Sequence, residues 1–261
     1  MNTIRVAIGA LLFGATVAFG ALATPIVTFV LIAANILVWV FVQGMGTEPA
    51  ISRAVCELGL IPGEVLGTIA PGTVVPVSHT TGCRLDADGS WYTTLSSMFL
   101  HGGWLHLIGN MWFLWVFGNN VEDSMGRVRY LVFYLLSGLA AAAAQMAANP
   151  SSAVPMVGAS GAISGVMGAY IVLYPRVRVH MLVFLGFFIT TIAVPAMFML
   201  GYWFLLQLLS GWATQDAEGG VAFWAHAGGF IAGAALVLVF RDRSLVARHR
   251  ESVRARFGYV E

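Results

Sequence analysis

Four side chains in the apolar part of this sequence have the chemistry that acyl transfer requires. Ser160 lies in the stretch GASG, and His226 lies in the stretch AHAGG. A serine hydroxyl becomes a strong nucleophile when a base removes its proton, and neutral imidazole is such a base near neutral pH. His106 and Asn110 are one helical turn apart, so they share a helix face from which both can donate hydrogen bonds to an oxyanion.

Each of these residues also has a purely structural explanation. Serine and glycine favour close helix packing, and histidine or asparagine often forms hydrogen bonds between membrane helices. The residue types alone therefore leave both interpretations open. The catalytic interpretation requires that the elements carrying these four side chains bring the side chains together, whereas the structural interpretation does not.

The composition indicates that those elements are membrane helices. Of the 261 residues, 59% are apolar and only 10% are charged, and the mean hydropathy is +0.83. Soluble domains carry about 25% charged residues, so a surface of this composition suits a bilayer. We therefore predict an all-α, polytopic membrane protein that folds as one helical bundle. The net charge of +1 gives no reason to expect a nucleic acid as a partner.

Six apolar segments are long enough to cross a bilayer as helices. They cover residues 25–43, 98–118, 129–148, 157–175, 194–211 and 221–240. A membrane domain is therefore predicted over residues 25–240, between an apolar N-terminal segment (1–24) and a basic tail (241–261). Residues 6–23 have features of a signal peptide, and the sequence leaves open whether they span the membrane, lie on it or are removed.

The placement of the arginines orients these segments. All 13 basic residues are arginines, and most of them follow the second, fourth and sixth spans. The long loop at residues 44–90 instead holds five acidic residues and two arginines. By the positive-inside rule, this loop lies outside and both termini lie in the cytoplasm, which predicts a location in the cell (inner) membrane. A further span at residues 179–193 would break the pattern, so that apolar stretch is predicted to be interfacial or re-entrant.

In this orientation the second, fourth and sixth spans all run from outside to inside. His106, Ser160 and His226 lie within about the first two turns of their own spans, roughly 10 Å from the outer surface, and Asn110 lies one turn deeper than His106. Ser160 lies in a first turn, where backbone N–H groups lack helical partners and can also serve an oxyanion. Three helices thus bring a nucleophile, a base and hydrogen-bond donors to one depth.

The absence of certain residue types at this depth excludes other classes of peptidase. No carboxylate occurs there, so we predict a dyad of Ser160 and His226 rather than a triad. The spans contain no aspartate and the sequence contains no HExxH, which argues against aspartyl and zinc peptidases. Three histidines without a nearby cysteine or carboxylate make a poor zinc site, so no metal is expected. Ser164, one turn deeper, is predicted to be a packing residue or a hydrogen-bond partner that orients His226.

The two cysteines, Cys56 and Cys83, both lie in the long loop. A disulfide can form if that loop faces an oxidising compartment. Two free thiols are the alternative, and the sequence does not decide between them.

Three stretches of this sequence resemble the bacterial rhomboid family of intramembrane serine proteases. They are HGGWLHLIGNMWFLWVFGNNVED (101–123), GASGAISG (158–165) and AHAGGFIAG (225–233), in the family's order and on the second, fourth and sixth spans. The resemblance implies a six-transmembrane-helix rhomboid-like bundle and no cofactor. It also implies cleavage of transmembrane or membrane-anchored protein substrates near the outer face of the bilayer.

The resemblance further implies a role for individual residues. Ser160 corresponds to the nucleophile and His226 to the base. His106 and Asn110 correspond to the oxyanion-stabilising positions, and His101 corresponds to the histidine just outside them. Together these residues imply a serine-type endopeptidase.

The sequence departs from the family pattern at two points. The Trp-Arg pair found in the first outer loop of many members is absent, because Arg53 and Arg84 have no tryptophan beside them. Some members place an aromatic residue four positions after the nucleophile, where it packs on the base, and here that position is Ser164. The orientation of His226 is therefore expected to depend on another residue.

Two other functions are compatible with parts of the pattern. A non-catalytic rhomboid-like chaperone or degradation factor would bind transmembrane helices without cutting them, but Ser160 and His226 are both intact. A small transporter would place polar residues at mid-bilayer in broken helices, whereas here they cluster near one face.

Overall fold

The computed structural model describes residues 24–77, 81–85, 90–185, 188–213 and 221–257, and this part of the chain is mostly helical. The helices are, in chain order, α1 (Ile26–Phe41), α2 (Ala50–Leu58), α3 (Pro62–Val65), α4 (Thr93–Ser96), α5 (Trp104–Met125), α6 (Arg127–Ala148), α7 (Ser160–Leu173), α8 (Ala196–Ala213), α9 (Phe223–Phe240) and α10 (Arg243–Phe257). The strands are β1 (Val74–Pro76), β2 (Gly82–Arg84), β3 (Arg178–Leu185) and β4 (Phe188–Pro195). The apolar stretch 6–23, on which the prediction for the N-terminal segment depends, lies outside the described residues.

Each of the six predicted apolar segments forms a helix, namely α1 and α5 to α9. Among the described residues, α6, α8 and α9 are both long and apolar enough to cross a membrane. The apolar helices α1 and α7 are shorter, with 16 and 14 residues. Helix α5 has 22 residues but includes more polar side chains. The helical prediction is confirmed, and the count of six spans stays a prediction.

The prediction of an all-α fold is wrong in two places, because two antiparallel hairpins interrupt the helices. Strands β1 and β2 pair within the long loop, with Val75 opposite Cys83. Strands β3 and β4 pair from Arg178 opposite Pro195 to Leu185 opposite Phe188. The second hairpin contains the apolar stretch 179–193, in which β-branched and aromatic residues favour extended backbone. The described part of that stretch therefore forms two paired strands, and the second strand leads directly into α8.

The helices that carry the candidate nucleophile and base meet at their backbones. Helix α9 packs chiefly against α7 and α6. A Cβ added to Gly233 of α9 would overlap the carbonyl oxygen of Gly165 in α7. Because no side chain separates the two helices along this contact, their first turns lie close enough for short side chains to touch.

This close contact predicts a specific sensitivity to added volume. We expect Gly233→Ala to destabilise the protein by about 1–3 kcal/mol, since the new methyl group meets backbone atoms that cannot move aside. Thermal unfolding of the purified protein in detergent measures the effect. Gly201→Ala in α8 is the matched control, because no atom lies within 4 Å of its added Cβ. Equal melting temperatures for the two variants would contradict this account of the packing.

The connection between α1 and α5 packs against the segment that joins α6 to α7. Leu60 and Met156 exchange two backbone hydrogen bonds of 3.0 and 2.7 Å. The backbone N–H of Gly158 donates to the carbonyl of Ser97 at 2.9 Å. These bonds hold the chain in place just before α7 begins at Ser160.

A disulfide joins Cys56 in α2 to Cys83 in β2 across 27 positions of sequence, with the two Cα atoms 5.2 Å apart. The Cys83 side chain is buried in a small apolar cluster with Ile61, Val75 and Leu85. Of the two alternatives that the sequence left open, the structure contains the cross-link. The disulfide ties the hairpin to α2.

We expect Cys56→Ser to lower the free energy of unfolding by about 3–4 kcal/mol, since closing a loop of this length restricts the unfolded chain. Denaturant unfolding of the variant and the parent under non-reducing conditions measures the difference. Thiol titration of the unfolded, unreduced parent serves as the control and should find no free thiol. Two reactive thiols in that titration would contradict the cross-link.

Helix α10 begins at Arg243, two residues after Arg241, and packs against α5. The Asp242 carboxylate accepts hydrogen bonds from the Ser244 hydroxyl and backbone N–H at 2.7 and 2.9 Å, and these bonds hold the pKa of Asp242 below its ordinary value. His249 is buried, with its Nδ1 3.6 Å from the Asp123 carboxylate of α5. The first part of the segment predicted as a basic tail is therefore packed against the membrane domain.

Candidate active site

Ser160 and His226 form a hydrogen-bonded pair. Ser160 is the first residue of α7, and His226 lies in the first turn of α9. The distance from His226 Nε2 to Ser160 Oγ is 2.8 Å. This is the separation at which an imidazole lone pair can remove a hydroxyl proton.

The other ring nitrogen of His226 contacts Gln207 of α8, with 2.8 Å between Nδ1 and the amide Oε1. An amide oxygen only accepts hydrogen bonds, so Nδ1 carries the proton and donates it. Nε2 then keeps its lone pair toward Ser160. The sequence-based prediction of a dyad considered carboxylates alone and missed this neutral amide.

A signal for Gln207 was present in the sequence. It is the only side-chain amide in the apolar segment 194–211. An amide inside a membrane helix is costly unless it is hydrogen-bonded, so its partner could have been sought among the other intramembrane polar residues. Which residue that partner is depends on how α8 packs against α9.

The face of the His226 ring packs near Trp203, one helical turn before Gln207. The two ring centroids are 5.9 Å apart, with the planes inclined at 38°. The aromatic neighbour that Ser164 cannot provide thus comes from α8. His226 is held at its Nδ1 edge by an amide and on one side by an indole.

Ser164 is fully buried on the same helix as Ser160. Its hydroxyl donates to the backbone carbonyl of Ser160 at 2.6 Å. This bond stays within α7, and the group that bonds to His226 Nδ1 is the amide of Gln207 instead.

His106 lies beside Ser160, across the backbone of Gly158. A Cβ added to Gly158 would lie 2.8 Å from His106 Nε2 and 3.5 Å from Ser160 Oγ, and the φ of +130° at this residue also favours glycine. The backbone N–H of Gly102 donates to His106 Nδ1 at 3.2 Å. Because Nδ1 accepts this bond, the proton of the neutral ring is on Nε2, the ring nitrogen on the side of Ser160.

Asn110 follows one turn later on α5 and lines the same cavity as Ser160. Its side chain is buried, and its Nδ2 has no hydrogen-bond partner among the described residues. A buried donor without an acceptor costs about 1–3 kcal/mol. An oxyanion bound in the cavity would supply the missing acceptor.

His101 lies behind His106 rather than beside Ser160. It is fully buried, and its ring meets that of His106 edge-on, with 5.1 Å between the centroids. The Gln43 amide fixes its backbone, donating to the His101 carbonyl at 2.7 Å and accepting from its N–H at 2.8 Å. His101 thereby supports the position of the His106 ring.

A cavity of about 860 Å³ contains the predicted site. Ser160, His226, His106 and Asn110 all line it. Its walls combine small apolar residues of α6 with polar side chains, among them Thr94, Ser97, Gln145, Ser151 and Ser152. Such walls give room for an extended peptide segment and for water.

Known proteins of one family resemble this chain. The model of the Rhomboid domain matches residues 88–243. The chain is 35% identical to Rhomboid protease GluP of Bacillus subtilis over 59% of its own length and 28% of the relative. It is 34% identical to RHOMBOID-like protein 5 of Arabidopsis thaliana, over 38% of this chain and 33% of that one. It is 30% identical to Rhomboid-like protease 5 of Toxoplasma gondii, over 56% of this chain and 16% of that relative.

The chain thus spans a third or less of the length of each of these relatives. The matched domain covers more than half of the chain and includes all the side chains that line the cavity from α5, α7 and α9. Together with the long apolar helices, the match identifies a multi-pass membrane protein. This chain belongs to the rhomboid family.

Proposed function

We propose that this protein is a serine-type intramembrane endopeptidase that cleaves transmembrane or membrane-anchored proteins near the outer face of the membrane. The observation that carries the proposal is the 2.8 Å contact between Ser160 Oγ and His226 Nε2 in a cavity large enough for a peptide segment. The relatives named as rhomboid proteases support the same reaction class.

In the proposed reaction, Ser160 Oγ attacks the carbonyl carbon of the scissile peptide bond while His226 Nε2 takes the hydroxyl proton. The carbonyl oxygen becomes an oxyanion that accepts hydrogen bonds from His106 Nε2 and Asn110 Nδ2. Backbone N–H groups in the first turn of α7 lack helical acceptors and add to this stabilisation.

The oxyanion then collapses and the C–N bond breaks. The His226 imidazolium gives its proton to the leaving amine, and the acyl group stays on Ser160 as an ester. Water enters the cavity, His226 takes one of its protons, and hydroxide attack on the ester releases the carboxylate product. Proton transfer back to Ser160 Oγ restores the starting state.

A fluorophosphonate probe tests this proposal without knowledge of the natural substrate. Ser160 Oγ should displace fluoride and form a stable phosphonyl ester, since the probe imitates the acyl substrate. We expect labelling of the wild type and of Ser164→Ala, and loss of labelling in Ser160→Ala. Failure of the wild type to label would favour a non-catalytic membrane chaperone on the same fold. Equal labelling of Ser160→Ala would show that the reactive nucleophile is a residue other than Ser160.

We also propose the topology that brings the site to the outer side. Six spans (α1 and α5 to α9) would cross the inner membrane, with residues 25–240 as the membrane domain, residues 44–90 outside and residues 241–261 in the cytoplasm. The hairpin of β3 and β4 would lie at the cytoplasmic interface, because it joins α7 to α8 and contains Arg178.

Reporter fusions test the orientation. Alkaline phosphatase is active only outside the cytoplasm, so we expect activity for a fusion within residues 44–90 and none for a fusion after residue 257. Green fluorescent protein at the same positions is the reciprocal control and should fluoresce only at the second. A cytoplasmic signal from the 44–90 loop would overturn the orientation and the depth assigned to the site.

A further inference from the structure

Gln207 lies on a helix that also carries many exposed apolar side chains. The exposed large apolar residues of α8 include Phe198, Tyr202, Leu205, Leu209 and Trp212. Gln207 is partly buried, and its amide oxygen points to the first turn of α9 rather than to its own helix. An amide in this position can fix the orientation of the His226 ring that it contacts.

We propose that Gln207 is a positioning residue for the base, so that the site works as a linked set of Ser160, His226 and Gln207. The inference rests on the proposed function. By accepting the hydrogen bond from His226 Nδ1, Gln207 keeps the proton on the nitrogen that faces away from the nucleophile. It takes the place that a carboxylate holds in soluble serine hydrolases.

The need for such a group follows from the chemistry of imidazole. A neutral ring carries one proton, and only the form with the proton on Nδ1 presents a lone pair at Nε2. If Gln207 were absent, the ring could carry its proton on Nε2 and would then donate to Ser160 instead of accepting from it. In that form His226 cannot act as the base.

The two contacts from α8 restrict different motions of the ring. The amide of Gln207 sets the direction of the Nδ1–H bond, and Trp203 limits rotation of the ring from one side. Both residues are one turn apart on one face of α8. The position of this helix therefore determines whether His226 points its lone pair at Ser160.

The neutral amide also determines the size of the expected effect. In a Ser-His-Asp triad, the carboxylate orients the histidine ring and its full negative charge stabilises the imidazolium. Loss of the correct histidine tautomer in such a triad lowers kcat about 10⁴-fold. An amide oxygen offers only a dipole to the imidazolium. Removal of Gln207 should therefore cost less, about 10- to 100-fold in kcat.

The test compares Gln207→Leu, which lacks an acceptor, with Gln207→Glu, which keeps an oxygen at the same reach. With a model transmembrane substrate in liposomes, we expect Gln207→Leu to lower kcat about 10- to 100-fold while KM changes by less than about threefold. Gln207→Glu should restore kcat to within about threefold of wild type. Leu209→Ala, on the exposed side of the same helix, is the matched control and should leave both constants unchanged.

Nitrogen NMR of protein labelled at its six histidines gives a readout that does not depend on turnover. His226→Ala identifies the signals of the ring. We expect a protonated Nδ1 and an unprotonated Nε2 in wild type and in Gln207→Glu, and a mixture of tautomers in Gln207→Leu. Inactivity of the wild type would refute the proposed function. The NMR comparison would still test whether Gln207 sets the tautomer of His226.

Two results would overturn the inference. The first is a Gln207→Leu protein with wild-type kcat and an unchanged His226 tautomer. The second is equal loss of kcat in Gln207→Leu and Gln207→Glu, because a role in packing alone would not distinguish an acceptor from its absence. Thermal unfolding of all three variants shows whether any loss comes from folding instead.

Discussion

Replacement of Ser160 by alanine is expected to reduce cleavage of a model transmembrane substrate by at least about 10⁴-fold, to the background rate. The reason is geometric. Ser160 Oγ lies 2.8 Å from His226 Nε2, so the variant loses the nucleophile while the base and the donors remain. Time courses of cleavage in liposomes, analysed by gel, measure the effect.

Ser164→Ala is the matched control, because Ser164 is a serine of the same helix at the same kind of Ser-Gly sequence. Its hydroxyl bonds to the Ser160 carbonyl and lies one turn deeper, about 6 Å further from water along the helix. We expect this variant to keep a measurable fraction of wild-type cleavage. The reverse pattern would place the nucleophile on the other turn, and full activity in both variants would exclude a serine mechanism.

Removal of either oxyanion donor is expected to lower kcat by about 10- to 1000-fold, as for single donors at other acyl-transfer sites. Asn110→Leu removes the buried amide, whose Nδ2 lacks an acceptor among the residues the structure describes. His106→Leu removes the ring nitrogen that faces Ser160 across Gly158. Because the missing bonds form in the transition state, KM should change much less than kcat.

The control for these variants is Asn35→Leu on α1. The Asn35 amide is also buried in a helix, but it donates to the carbonyl of Leu31 in its own helix at 2.7 Å and does not line the cavity. We expect kcat of this variant to match wild type. The double variant at His106 and Asn110 should lose less than the product of the single losses, since both donors act on one oxygen. Unchanged kcat in both single variants would return these residues to a structural role.

The secondary structure of the membrane domain was largely predictable, except for its two hairpins. Each apolar segment became a helix, because apolar length is visible in a single stretch of chain and only helices satisfy the backbone there without partners. The stretch 179–193 was apolar too, but its partner is another part of itself. Pairing between β3 and β4 is a contact between segments, so periodicity and hydropathy alone did not reveal it.

Four residues of the candidate site were predictable from the sequence, but the contacts that hold them in place were not. Ser160, His226, His106 and Asn110 stood out because polar side chains in apolar segments are few, and they line one cavity. Neither the disulfide nor the position of α10 could be read in the same way. Whether Cys56 meets Cys83 depends on how a hairpin folds back on α2, and whether His249 is buried depends on where the chain turns after α9.

By itself, the sequence determined that this is a membrane protein of the rhomboid type and singled out four of the side chains that line its cavity, because composition, apolar length and motif residues are local properties. Only the tertiary structure decided which residue contacts the second ring nitrogen of His226. Gln207 and His226 are 19 positions apart on different helices, and their 2.8 Å contact exists because one face of α8 packs against the first turn of α9. The sequence of either helix alone does not indicate which helix faces are in contact, because these contacts depend on the packing of the whole bundle.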